Sequence, residues 1–251
     1  MTYTPLFGDY ADSYAQAPYL DFTESVADAL PGIWSSHRIQ PKSLLDYGCG
    51  NGLMLARLAP LLTRAIAVDS SPQMLKHTQQ MLAETSLTVE IVEEDMRAFR
   101  ADPPVEVATC IYNTVNYLTR DEGLRAFFEN AWHSLTEGGI FIFDTHPAWY
   151  IAQAWRDGTF VEIDTEDTFE CWQNPYDEQT GIVSTTVNLF RKTDNGWSRI
   201  REVHPARGLD PEVVAPILKD AGFAEVASYG DLDLSPVTEQ SERLWFIARK
   251  S

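Results

Sequence analysis

From residue 43 onward, short apolar runs alternate with amphipathic stretches, and this alternation leaves the chain few possible folds. A strand, a helix and a second parallel strand join by a right-handed crossover that lays the helix on one face of the sheet. Strands are expected at residues 43–47, 64–68, 87–92, 105–112 and 140–144, with two more near 224–229 and 244–250. The first helix is expected over 20–30, stopped by Pro31-Gly32, and the second over 52–62. Ser71 followed by Pro72 opens a third. Thr119-Arg120-Asp121-Glu122 fits a capping box that opens a fourth, running to about residue 135. Asp210 and Pro211 open the last, and Gly222 closes it. No helix signal precedes the final strand, so that strand is expected to run antiparallel. The fold class is α/β: a doubly wound, seven-stranded, mostly parallel sheet.

The rhythm breaks between residues 160 and 204. Three β-rich runs there are separated by turn-like clusters at 177–181 and 194–196, and Asn195-Gly196 is a hairpin signal. A small antiparallel β lid inserted into the main fold is expected. The domain reading is a main unit of residues 1–146 and 206–251, with 147–205 as the lid or substrate subdomain.

Composition limits the partners. A chain of 251 residues buries roughly 70–75% of its unfolded surface and needs no staples. Its 37 acids against 19 Lys and Arg give a net charge of −18, which repels phosphate backbones and anionic lipid. No nucleic-acid and no membrane partner is expected. Cys49, Cys110 and Cys171 form no CxxC pair and no even framework, which points to a reducing compartment. The N-terminal stretch is acidic without an apolar core, so no signal peptide and a cytoplasmic address are expected. No metal site is expected.

The segment Leu44-Leu45-Asp46-Tyr47-Gly48-Cys49-Gly50-Asn51-Gly52 sits where a strand ends and a helix begins. Glycines there allow a sharp turn and a close approach of backbone to ligand, and ligands in such sheets bind beyond the carboxyl ends of the strands. Asp69, 17 residues after Gly52, ends the next strand, where a carboxylate can accept hydrogen bonds from both hydroxyls of a ribose. These two features also suit an NAD-dependent oxidoreductase. Against it stand the GxGxG spacing, with Leu53 where GxGxxG requires its last glycine, a second acidic segment at Glu94-Asp95-Met96, and the antiparallel last strand.

Together these residues resemble the class I S-adenosylmethionine-dependent methyltransferases, whose sheet is Rossmann-like. Asn113-Thr114-Val115-Asn116-Tyr117-Leu118 resembles the segment after the fourth strand of that family, and Leu135-Thr136-Glu137-Gly138-Gly139 the turn before its fifth. Tyr10, Pro18-Tyr19, Phe143-Asp144-Thr145-His146 and Ser241-Glu242-Arg243 extend the likeness to bacterial small-molecule methyltransferases with an inserted lid, similar to amino-sugar and glycine N-methyltransferases. Tyr47 stands where that family usually has Leu or Ile. The resemblance implies S-adenosyl-L-methionine as cofactor. Gly48 and Gly50 would pack against its methionine portion, Asp46 would hold its amino group, Met74 would lie along the adenine and Asp95 would bind the exocyclic amine. Cys49, Ser70, Met96 and Asn113 complete the implied cofactor set, with Cys49 as a small filler and no nucleophile.

The acceptor is expected to be a small molecule, with an amine favoured over a hydroxyl or carboxylate. A neutral amine needs no base before transfer, whereas a hydroxyl does. His146, beyond the fifth strand, is the leading base candidate, followed by His204. Tyr10 and Tyr19 are candidates to close over the cofactor. Trp172 and Arg201 are candidates to face the pocket from the lid, and Trp149, Trp155 and Trp172 to cage a cation. A non-catalytic module that binds the cofactor or its demethylated product remains the alternative outside enzymology.

Overall fold

The strand alternation produces two sheets in the computed structural model, which describes residues 6–15 and 20–251. The larger contains β1 (Ser43–Tyr47), β2 (Arg64–Asp69), β3 (Thr88–Glu93), β4 (Val105–Cys110), β5 (Leu135–Thr145), β11 (Glu225–Tyr229) and β12 (Leu244–Arg249), in the order β11-β12-β5-β4-β1-β2-β3. β1 to β5 pair in parallel, and β12 is antiparallel to both β5 and β11.

Both faces of this sheet are covered, and successive residues alternate between them. Leu45, Tyr47, Ile66, Val68, Phe141 and Phe143 face one apolar layer, filled by Phe127 and Phe128 of α5 (Asp121–Ser134) and Val214, Ile217 and Leu218 of α7 (Pro211–Asp220). Leu44, Ala65, Ala67, Ile140 and Ile142 face the other. That layer is closed by α2 (Leu20–Ser36), α3 (Leu53–Leu58) and α4 (Pro72–Leu82) through Leu30, Trp34, Met54, Leu55 and Leu75.

The smaller sheet comprises β6 (Thr159–Asp164), β7 (Thr168–Gln173), β9 (Ile182–Thr193) and β10 (Gly196–Arg207), in the order β10-β9-β7-β6, with β8 (Tyr176–Asp177) pairing β9. All its pairings are antiparallel. Four long strands therefore replace the three expected, and the last runs on to Arg207. Asp194-Asn195 forms the β9–β10 loop, with Gly196 at φ +124°. A helical turn, α6 (Ala148–Tyr150), continues as a π-helical turn, Ile151–Trp155, between the two sheets.

Three local expectations are corrected. α2 does not stop at Pro31-Gly32 but runs to Ser36, because Ile33 and Trp34 beyond the proline are buried in the core. Burying those two side chains outweighs the hydrogen bond that the proline removes. The capping box does not form: α5 has Arg120 as its cap residue, with no side-chain cap bond. Arg207 instead ties this end down, donating to the Thr119 carbonyl (3.3 Å) and the Asp121 carboxylate (2.7 Å). Asp210 does precede α7, but its carboxylate accepts the Ala148 N–H (3.0 Å) and fixes the exit from β5 instead of capping. Ser71 caps α4 as expected, accepting the Met74 N–H at 3.0 Å.

Candidate functional site

The turn after β1 is built from three left-handed glycines: Gly48 (φ +68°), Gly50 (+56°) and Gly52 (+79°). The Gly48 and Cys49 N–H groups donate to the Val68 carbonyl at 2.7 and 3.0 Å, folding the turn against the end of β2. A Cβ on Gly48 would stand 2.7 Å from Thr114 Cγ2, so the turn accepts no side chain there. Asp69 at the end of β2 accepts the Gly50 N–H on one oxygen (3.0 Å) and the Ser71 N–H on the other (2.8 Å). Burial raises its pKa to about 6 against those two hydrogen bonds. Asp46, 2% exposed, accepts the Thr109 hydroxyl at 2.8 Å, and burial pushes its carboxyl up to about 7.

These groups line one cavity of about 1100 Å³ beyond the carboxyl edge of the main sheet. Asp46, Gly48, Cys49, Gly50, Asp69, Ser70, Met74, Asp95, Met96 and Asn113 all border it. Asp95 is held by its own neighbour: Arg97 donates through Nε to both carboxylate oxygens (2.9 and 3.0 Å) and through Nη2 to one of them, which lowers the Asp95 pKa. Tyr112 and Asn113 are consecutive left-handed residues (φ +63° and +48°) that turn β4 into the cavity wall. The Asn113 N–H donates to buried Asp144 at 2.8 Å, and Arg243 forms an ion pair with the same carboxylate. Cys49 is buried, with its thiol pKa well above normal, so it fills space and is no nucleophile.

His146, His204 and Tyr10 border the same cavity. The surroundings of His146 disfavour it as a base. Its Nδ1 lies 2.7 Å from the Glu242 carbonyl, which only accepts, so Nδ1 carries the proton. Its Nε2 faces an Arg243 guanidinium nitrogen at 3.3 Å, and burial together with that charge lowers its pKa to about 3. The three-tryptophan cage is not assembled: Trp155 and Trp172 line the cavity, while Trp149 borders a separate surface cleft with Gln153 and Glu239. Arg201 is exposed, because strand alternation turns it to the face opposite Glu202 and His204. Pro18 and Tyr19 lie outside the described residues.

Several contributors were not read from the sequence. The N-terminal segment bridges the two sheets: Phe7 and Tyr10 N–H groups donate to Glu202 of β10 at 2.9 Å each, and the Tyr10 hydroxyl to Glu170 of β7 at 2.5 Å. On the other side, the Ser71 hydroxyl donates to the Phe7 carbonyl at 2.6 Å, and His77 meets Asp12 at 2.8 Å. The Arg243 guanidinium stacks over Phe22 (4.3 Å) and approaches Tyr112 (5.7 Å).

A glycine turn after the first strand and an acid after the second, on one cavity of this sheet order, define a nucleoside-binding α/β protein. Residues 44–139 match the family model described as a methyltransferase domain. The chain is 27% identical over 252 residues to the "Putative methyltransferase YqeM" of Bacillus subtilis (strain 168), covering 100% of this chain and 98% of that one. It is 26% identical over 154 residues to the dTDP-3-amino-3,4,6-trideoxy-alpha-D-glucopyranose N,N-dimethyltransferase of Streptomyces venezuelae, covering 60% and 61% of the two chains. A solved S-adenosylmethionine-dependent methyltransferase from Clostridium acetobutylicum ATCC 824 shares the fold at a TM-score of 0.84, with 21% identity over 97% of this chain and 96% of that one. Residues 44–139 are thus a methyltransferase domain, and the activity and cofactor that go with it are methyl transfer from S-adenosylmethionine. The oxidoreductase and non-catalytic readings are set aside.

Proposed function

We propose that the chain methylates the nitrogen of a small-molecule amine, with residues 147–205 serving as a lid over the acceptor. One observation carries this reading: the cavity lining includes the aromatic rings of Tyr112, Tyr150, Trp155 and Trp172 together with the carboxylates of Glu94, Glu122 and Glu162. Aromatic faces beside carboxylates favour a cation, the form in which most amines arrive. The N,N-dimethyltransferase named among the relatives acts on an amino sugar and supports an amine acceptor.

The residues present fit the cofactor. Each Asp69 oxygen accepts one backbone N–H and retains a lone pair for a ribose hydroxyl. Asp46 offers a buried carboxylate to the cofactor's ammonium group. Met74 and Met96 would flank the adenine, and Asp95, fixed by Arg97, would accept from its amine. The cofactor supplies a methyl group already activated by a sulfonium. What remains for the protein is alignment of the acceptor and exclusion of water, and alignment alone lowers such barriers by about 7–11 kcal/mol in favourable cases. Phe7, Tyr10 and Tyr14 on the bridging N-terminal segment are placed to exclude solvent. Three free thiols support a reducing, cytoplasmic setting, and the net charge of −18 argues against nucleic acid. Among the described residues, no helix is long and apolar enough to cross a membrane.

The test is incubation with methyl-labelled cofactor and matched pairs of small acceptors that differ only in bearing an amine or a hydroxyl. Label is expected on the amine members. Label confined to hydroxyl or carboxylate compounds overturns the amine assignment.

A further inference from the structure

Alternation along β10 turns Glu202 and His204 inward, where they are 2% and 6% exposed. Glu202 accepts the Phe7 and Tyr10 N–H groups and lies 3.3 Å from His204 Nε2. The other ring nitrogen, Nδ1, is 3.1 Å from the hydroxyl of Tyr117. Tyr117 comes from the 3₁₀ turn Thr114–Tyr117 that follows β4, so this contact joins the smaller sheet to the cofactor side of the main one. Tyr117 and His204 border the cavity, and Glu202 stands behind them.

The protons on this chain of groups can be assigned. Burial alone would raise the Glu202 carboxyl, but His204 and the two backbone N–H donors outweigh it, so Glu202 is held below the usual carboxylate range. The charge of an ionised Glu202 at 3.3 Å favours the His204 proton on Nε2, although the contact falls short of hydrogen-bond geometry, and the Nδ1 lone pair then accepts from the Tyr117 hydroxyl. Burial, reinforced by Glu202 and Asp69, pushes the Tyr117 hydroxyl above its ordinary range, so it stays neutral and can only pass a proton on. The Tyr10 hydroxyl is bound to Glu170, which also accepts the Trp172 indole N–H at 2.7 Å, and the Phe7 and Tyr10 rings pack edge-on to the imidazole.

We infer that Tyr117, His204 and Glu202 form a proton relay that takes the proton from the acceptor nitrogen. This inference rests on the amine reading. The acceptor N–H bond breaks and its proton goes to the Tyr117 oxygen, while the nitrogen keeps the electron pair. In the same step the original Tyr117 proton moves to His204 Nδ1. The imidazolium so formed lies against the Glu202 carboxylate, which neutralises it. Tyr117 is the catalytic residue of the relay, His204 stores the proton, and Glu202 is a positioning residue.

The arrangement is tested by nuclear magnetic resonance of ¹⁵N-histidine protein saturated with S-adenosylhomocysteine. In the wild type, His204 is expected as the Nε2–H tautomer. Glu202→Gln removes the carboxylate charge that selects this tautomer and is expected to raise the Nδ1–H fraction. Tyr117→Phe removes the donor to Nδ1 and is expected to shift the Nδ1 resonance toward that of a bare lone pair while leaving the proton on Nε2. Opposite effects on the two ring nitrogens are not what a purely structural role gives. An Nδ1–H tautomer in the wild type, or a ring unchanged in both variants, overturns the relay. Failure of the wild type to bind S-adenosylhomocysteine counts against the cofactor reading instead.

Discussion

Asp46 and Asp69 enter the cofactor site with carboxyl groups raised to about 7 and about 6 by burial. Both must be ionised to hold an ammonium and a ribose, so cofactor binding at pH 6.5 is expected to release protons. Calorimetry in buffers of differing ionisation heat reads this directly. The linkage has a definite sign. A folded carboxyl raised above its unfolded value lowers the stability of the free protein as pH climbs from about 4 through 6–7. The gain in Tm from S-adenosylhomocysteine is therefore expected to be larger at pH 8 than at pH 5.5. Gly48→Ala places a Cβ against Thr114 in a left-handed turn that costs about 1–2 kcal/mol for other residues, and is expected to weaken binding about tenfold. If Tyr117 and His204 relay the acceptor proton, Tyr117→Phe and His204→Gln slow amine methylation at pH 7. Both approach wild-type rates at pH 10, where the amine arrives neutral. The placement of Gly48 and Asp69 on the cavity was legible because it depends on backbone conformation and on position at a strand end. The suppression of His146 was not, because it depends on Arg243, 97 residues away.

The parallel strands and their covering helices were readable from periodicity, and the elements misjudged were those settled by distant packing. α2 is the clearest case, since Pro31 is a stop signal that Ile33 and Trp34 override by burial. Pro31→Ala restores the missing donor without disturbing those contacts. It is expected to stabilise the protein by about 1 kcal/mol, or about 2–4 °C in Tm, measured by calorimetric unfolding. The bridge from the N-terminal segment to β10 was equally hidden, because Tyr10 and Glu202 are 192 residues apart. The four-stranded form of the smaller sheet was blurred by polar strand residues, which in a one-sided sheet face solvent as often as the core.

Two apolar layers fix the main sheet, and the cavity beyond its edge is closed by groups from the glycine turn, the N-terminal segment and the smaller sheet together. On the amine reading, a net charge of −18 implies long-range attraction of the cationic acceptor. Raising ionic strength is expected to raise KM for a cationic acceptor more than for a neutral analogue, which initial-rate assays at two salt concentrations will show. The central claim is that this cavity holds the cofactor by its ribose at Asp69. Isothermal titration of wild type and Asp69→Ala with S-adenosylhomocysteine tests it most directly. Micromolar or tighter binding to the wild type, weakened about 100-fold or more in a folded Asp69→Ala, is the predicted result. Equal affinity in the two proteins, or no affinity in the wild type, contradicts the account.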